Sequence, residues 1–156
     1  MSLFSQRKRK LLGSVLVALQ FGLLIGLGVL ATPQVLRGAM PLSAVLMAAA
    51  SVGLAAWTLI HNRPGNFNIR PTPKSWGNLI TTGPYQFIRH PMYTAVLLGA
   101  AALAGLSDPI QGWLGWLALA LVLLLKSAFE ERWMREQHPG YDAYAQQTKR
   151  FFPWLF

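Results

Sequence analysis

Along this chain the polar residues gather into short clusters, and the stretches between the clusters are long and apolar. Leu11 to Ala31 is interrupted only by Ser14 and Gln20 among polar types. At about 1.5 Å per helical residue such a run spans roughly 30 Å, the hydrocarbon thickness of a bilayer. Pro41 to Ile60 is a second run of this kind, Met92 to Leu106 a shorter third and Pro109 to Phe129 a fourth. The third is short for a crossing, so it either tilts little or borrows length from the residues around Pro91. Asp108-Pro109 is the only break before the fourth, which makes the pair a tight helical hairpin. After Pro139 the pattern predicts a short amphipathic helix with Tyr141 and Tyr144 on one face. An aromatic tail from Phe151 to Phe156 follows, suited to the membrane interface.

The pattern therefore predicts an all-α fold, a polytopic membrane helical bundle of about four transmembrane helices plus a C-terminal interfacial helix. Residues 1–156 read as one membrane domain: two N-terminal spans (1–60), a loop (61–91), a helical hairpin (92–129) and a C-terminal cap (130–156). Composition agrees, with 53% of residues apolar and only 12% charged, unlike a soluble domain.

Charge adds orientation. Basic residues stand before the first run (Arg7 to Lys10), after the second (Arg63, Arg70, Lys74, Arg89) and after the fourth (Arg132, Arg135, Lys149, Arg150), with Arg37 alone between the first and second and none between the third and fourth. The positive-inside rule then places both termini and the 61–91 loop in the cytoplasm, with the cell (inner) membrane as the expected location. Topology and attraction to anionic lipid account for the net charge of +9, so no nucleic-acid partner is needed. Arg7 to Lys10 ahead of an apolar run has the outline of a signal peptide, but the run is longer than such an h-region and a second span follows closely. Trp57, Trp76, Trp113, Trp116, Trp133 and Trp154 fall near span ends or in flanking segments, as an aromatic belt would.

The chain has no cysteine, which excludes disulfides, thiolate nucleophiles and zinc–thiolate sites. His61, His90 and His138 lie in no metal-ligand spacing, and no metal is expected. Phosphate-binding glycine loops, dinucleotide fingerprints and nucleophile elbows are also missing.

Two polar constellations remain for chemistry. The first is the Pro-, Gly- and Asn-rich loop to Pro91, too long to be a mere connector. It feeds the third span through Arg89-His90-Pro91, where Pro91 suits the first helical turn and His90 the cap. The free N–H groups of that helix start favour an anion such as a carboxylate. Tyr93 lies on nearly the same face as His90, and with Tyr85 it offers aromatic faces that attract cations. The plainer alternative is that Arg89 serves topology and the tyrosines belong to the belt. The second constellation is Glu130-Glu131 at the edge of the fourth span. It reads either as a solvated pair with Glu131 against Arg135 at i,i+4, or as carboxylates awaiting a cationic partner. A carboxylate site, aromatic faces and a carboxylate pair together suit S-adenosyl-L-methionine, although composition does not single it out.

Asn78-Leu79-Ile80-Thr81-Thr82-Gly83-Pro84-Tyr85, Arg89-His90-Pro91-Met92-Tyr93 and Glu130-Glu131 with Gly140-Tyr141, Tyr144, Lys149-Arg150 and Pro153 resemble the integral-membrane isoprenylcysteine carboxyl methyltransferase family, itself similar to phospholipid N-methyltransferases. The likeness covers about residues 75 to 153. It implies an S-adenosylmethionine pocket on the cytoplasmic side and a lipophilic small-molecule or lipid substrate arriving from the bilayer. By position, cofactor contacts fall on Gly77, Asn78, Leu79, Ile80, Tyr85, His90, Pro91, Met92, Tyr93 and Glu131, with Glu131 meeting the methionyl ammonium. Where prenylcysteine-methylating members carry a substrate arginine this chain has Ser127, with Lys126 beside it; these two are the candidate substrate-binding residues. That departure argues against prenylcysteine, since Lys lacks the fork of Arg and points about 100° away.

Methyl transfer from a sulfonium needs alignment and exclusion of water rather than a metal or a covalent nucleophile. For an amine acceptor, Glu130 and His90 are the candidate bases. Two rival readings are a membrane NADPH-dependent reductase similar to steroid reductases, against which the acidic pair argues, and a non-enzymatic scaffold. The small-residue pairs Ala100/Ala104 and Ala101/Gly105 serve helix packing in any of the three.

Overall fold

A computed structural model of the chain describes residues 3–38, 40–62 and 79–153. Among them are five α-helices and no extended sheet: α1 (Leu3–Leu36), α2 (Leu42–His61), α3 (Pro91–Gly105), α4 (Pro109–Gln137) and α5 (Tyr141–Gln147). Helices α1, α2 and α4 are long and apolar enough to cross a membrane, and α3 is a shorter apolar helix. The protein is a helical membrane protein.

Helix α3 sits at the centre, with α2 on one side and α1 and α4 on the other. Its 15 residues include buried Thr94, Ala95, Leu97, Ala100, Ala101, Ala102 and Ala104. The expected third span is a helix of 15 residues that starts at Pro91, and its neighbours on both sides cover much of it. Small side chains let the neighbours approach closely. A Cβ on Gly112 of α4 would stand 2.6 Å from the Ala104 carbonyl oxygen, so only glycine fits there. On the other side, Ser51 of α2 donates to the Ala95 carbonyl at 2.7 Å. Leu27, Leu97, Ala100, Ala104, Leu119, Leu123 and Phe151 form the core between α1, α3, α4 and the tail.

Three boundaries differ from the sequence reading. Helix α1 runs beyond Leu11 to Ala31 at both ends and contains Pro33 in its last turn, at the expense of the N–H bond that residue 33 would make to the Val29 carbonyl. Helix α4 continues past Phe129 to Gln137 and carries the partly exposed Glu130 and the buried Glu131 within its regular turns. Its start is fixed by Asp108, whose Oδ1 accepts from the amides of Ile110 and Gln111, both at 3.1 Å, ahead of Pro109 in the first turn.

The tryptophan belt also needs correction. Trp57 and Trp113 are 42% and 43% exposed, as anchors should be. Trp133 is buried, stacks on Phe129 and lies under the Arg9 guanidinium. Trp116 is half-buried and donates from Nε1 to the Leu97 carbonyl. Both are packing residues. Trp76 and Trp154 lie outside the described residues.

Arg9 forms a two-pronged pair with Glu136, at 2.9 and 3.1 Å, which brings the start of α1 to the end of α4. The polar residues of the 79–91 segment, α5 and the tail meet at that same end.

Candidate active site

The loop into α3 is shaped by a 3-10 turn, Gly83–Gln86. Gly83 has φ +61, a left-handed conformation, and a Cβ there would overlap the His61 ring of α2. Beyond the turn, Phe87 to His90 runs alongside the tail as a one-residue parallel bridge. Arg89 N–H donates to Lys149 O at 2.7 Å, His90 N–H to Arg150 O at 3.1 Å and Lys149 N–H to Phe87 O at 3.1 Å. Thr94 Oγ1 adds a bond to Phe151 O at 2.7 Å. The tail is therefore stitched to the start of α3, and Arg150 and Phe151 arrive beside His90.

Glu131, 1% exposed, is the hub. Its Oε1 accepts from Arg89 Nε at 2.9 Å, Arg150 Nε at 3.1 Å and His90 Nε2 at 3.2 Å. Its Oε2 accepts from Arg150 at 3.1 Å, with Arg135 at 3.7 Å. Because an ionised carboxylate only accepts, Nε2 carries the hydrogen in the His90 bond. Arg89 also donates to the carbonyls of Ala145 and Thr148, which ties α5 to the same point. The i,i+4 pairing of Glu131 with Arg135 exists, but as the weakest of these contacts, and Arg89 does far more than mark topology.

Glu130 is next in sequence and different in setting. Its side chain is 29% exposed, Tyr93 donates to its Oε2 at 2.8 Å, and His90 Nδ1 lies 3.7 Å away. His90 and Tyr93 stack with centroids 5.2 Å apart and planes 6° from parallel. His90 thus bridges two carboxylates, and its ring and the Tyr93 ring present joined aromatic faces. Lys126 lies one helical turn before Glu130, with Nζ over the Tyr93 ring at 5.1 Å and a bond to Gln20 Oε1 at 2.7 Å. Ser127 is buried and its hydroxyl turns back to the Leu124 carbonyl.

Of the other expected site residues, Gly77 and Asn78 lie outside the described residues. Leu79 and Ile80 are half-buried at the start of the described segment, Pro91 is buried in the first turn of α3 and Met92 is half-buried there. Tyr85 is half-buried, and its carbonyl accepts from the Tyr144 hydroxyl at 2.8 Å. Burial first, and the Glu130 charge second, push the Tyr85 phenol up to about 12. Burial likewise raises Tyr141 and Tyr144, so these hydroxyls act only as neutral donors.

The sequence reading missed Gln20, Thr94 and Phe151 as neighbours of this cluster and gave Arg150 no role. Gln20 had a signal, being a lone amide inside an apolar span. A separate apolar cavity of about 320 Å³ lies on the α2 side of α3, lined by Leu54, Trp57, Pro84, Phe87, Ile88, Thr94 and Pro153. Neither carboxylate borders it.

Comparison with known proteins places most of this cluster in a recognised region. A family model described as phospholipid methyltransferase matches residues 42–139, from α2 through α4, leaving out α1, α5 and the tail. The chain is 35% identical over 79 residues to the nickel-cobalt-cadmium resistance protein NccN of Alcaligenes xylosoxydans xylosoxydans, across 49% of this chain and 37% of that protein. It is equally similar, 35% over 79 residues, to the cobalt-zinc-cadmium resistance protein CzcN of Cupriavidus metallidurans, across 49% of this chain and 36% of that one. The chain thus spans little more than a third of the length of these curated relatives.

Proposed function

We propose, for a chain that belongs to the phospholipid methyltransferase family, S-adenosylmethionine-dependent methyl transfer to a membrane-embedded lipid acceptor, with a phospholipid amine as the leading candidate. Membership in this family of membrane methyltransferases, related to the isoprenylcysteine carboxyl methyltransferases, supports reading the protein as a membrane methyltransferase. The donor, the acceptor and the residue roles are our reading.

One observation carries it: His90, Tyr93, Glu130 and Glu131, all inside the family-matched segment, converge where α3 begins and the apolar part of α4 ends. The donor set fits S-adenosylmethionine, which offers an ammonium, a carboxylate and a sulfonium and supplies an electrophilic methyl group. Glu131 Oε1 accepts from three donors, whereas Oε2 accepts from Arg150 with Arg135 at 3.7 Å, and the methionyl ammonium would bind Oε2 in place of the longer Arg135 contact. The rings of His90, Tyr93 and Phe151 gather beside the carboxylates, an aromatic setting that suits a sulfonium. Tyr85, Pro91 and Met92 would wall the same pocket, with Leu79 and Ile80 as its loop side.

Glu130 is the proposed base for an amine acceptor. It is partly exposed and held by one neutral hydroxyl, so it has capacity for the proton that an ammonium must shed before its nitrogen lone pair can attack. His90 holds its place between the two carboxylates. Lys126 and Ser127 would lie toward the acceptor, with Ser127 contributing shape only. The clustered basic residues at this end support a cytoplasmic site with both termini on that side of the cell membrane.

Calorimetry with S-adenosylmethionine and with NADPH tests the donor, and binding of NADPH alone would return the reductase reading. Transfer of a labelled methyl group from S-adenosylmethionine to phosphatidylethanolamine or to a prenylcysteine analogue tests the acceptor. Labelling of neither defeats both named acceptors.

A further inference from the structure

Lys126 is a basic side chain buried deep between α1, α3 and α4, and no acid among the described residues pairs with it. It is 1% exposed, yet its hydrogen-bond partner is the neutral amide oxygen of Gln20, itself 7% exposed. No carboxylate among the described residues lies within ion-pair distance of Nζ; Glu130, one turn on, is engaged by Tyr93. The remaining contact is the π-face of Tyr93, 5.1 Å away. A buried cation held by an amide and a ring quadrupole is costly inside a membrane protein, and such groups mark ligand sites.

We propose that Lys126 and Gln20 form an anion subsite that selects acceptors carrying a negative group, either a phosphodiester beside the amine to be methylated or a carboxylate that itself takes the methyl group. This inference rests on the methyl-transfer reading of the neighbouring cluster. Tyr93 carries it geometrically: its ring face lies toward Lys126 and its hydroxyl toward Glu130, so positive and negative groups stand on two sides of one side chain. An acceptor with an anion at one end and an amine at the other matches that order. Gln20 is the specificity determinant. Its Oε1 orients the ammonium, and because it is an amide and not an acid it leaves the positive charge available. It comes from α1, outside the family-matched segment.

The test is a titration of the purified full chain in detergent, read by intrinsic fluorescence. The ligands are lysophosphatidylethanolamine (phosphodiester), a prenylcysteine analogue (carboxylate) and a monoacylglycerol (neither). Wild type should bind one or both anionic ligands about tenfold or more tighter than the neutral one, the scale of one charge-assisted hydrogen bond; which of the two it prefers identifies the source of the anion. Lys126→Met should abolish the preference, and Lys126→Arg should keep it. Gln20→Glu, nearly isosteric, should abolish it by closing an ion pair over Nζ, which covers the case in which Lys126→Met fails to fold. No preference in wild type, or a preference surviving both Lys126→Met and Gln20→Glu, overturns the inference. Calorimetry with S-adenosylmethionine runs beside it: loss of donor binding in wild type defeats the function proposed above, while the lipid titration still decides the anion subsite.

Discussion

The phenolic hydroxyl of Tyr93 donates to Glu130 across 2.8 Å, joining the first turn of α3 to the point where α4 leaves its apolar stretch. Each residue has a second neighbour that matters. The Tyr93 ring lies on His90, and His90 reaches both Glu130 and Glu131. Two adjacent acids on one helix are thereby given different surroundings. Glu131 is enclosed by cations, and Glu130 is held by a neutral hydroxyl with access to solvent.

Tyr93→Phe removes a hydrogen bond to a charged acceptor, worth about 1.5–3 kcal/mol. If Glu130 works as proposed, kcat/KM for methyl transfer should fall by roughly tenfold to a hundredfold, with the larger part in kcat. Steady-state rates with a labelled methyl donor check this.

Glu131→Gln and Glu130→Gln should separate stability from chemistry. The first strands Arg89 and Arg150 around a buried neutral group and should cost about 3–5 kcal/mol of stability. The second should change stability by less than about 1 kcal/mol while removing the proposed base. Thermal unfolding in detergent, run beside activity, distinguishes them; equal unfolding temperatures would refute the assignment of Glu131 as the hub.

Gly83→Ala should destabilise through two causes. A left-handed φ costs a residue with a side chain about 1–2 kcal/mol, and the new methyl group meets the His61 ring. The double variant with His61→Ala should recover the steric part and not the backbone part. A double-mutant cycle on unfolding temperatures measures the split.

Tyr85 gives an alkaline signature. Its folded value is raised to about 12, above the ordinary tyrosine value near 10, so folding favours the protonated phenol. The stability this contributes is complete below about pH 10 and is lost as the pH rises through about 12. Ultraviolet difference titration of Tyr93→Phe should show Tyr85, Tyr141 and Tyr144 resisting ionisation near the ordinary value until the fold opens. A normal titration there would place these rings in water.

The apolar runs marked α1, α2 and α4 because lipid imposes its requirement on every residue of a span, and a local average detects that. The hairpin break at Asp108-Pro109 was equally visible, since a cap and a first-turn proline act within a few residues. Helix ends were not: no local feature shows that α4 continues to Gln137, because that extension is held by Arg9 from the far end of the chain and by α5. Trp133 looked like an anchor, and only the arrival of Arg9 over its ring and of Phe129 beside it makes it interior.

For the site, residue types and order brought His90, Tyr93, Glu130 and Glu131 into view, because helical spacing relates His90 to Tyr93 and the acids stand out beside an apolar run. Which acid is enclosed depends on Arg89 and Arg150, 42 and 19 residues from Glu131. Gln20 was visible as a polar residue in the wrong place, and its partner Lys126 is 106 residues away. Sequence alone determined that the chain lives in a membrane, where its spans lie and which residue types gather at their ends, since those follow from local hydropathy and charge. Tertiary structure decided which carboxylate is enclosed by cations, which is partly exposed and which lysine is buried against an amide, because each of those depends on partners that only folding brings within a few ångströms.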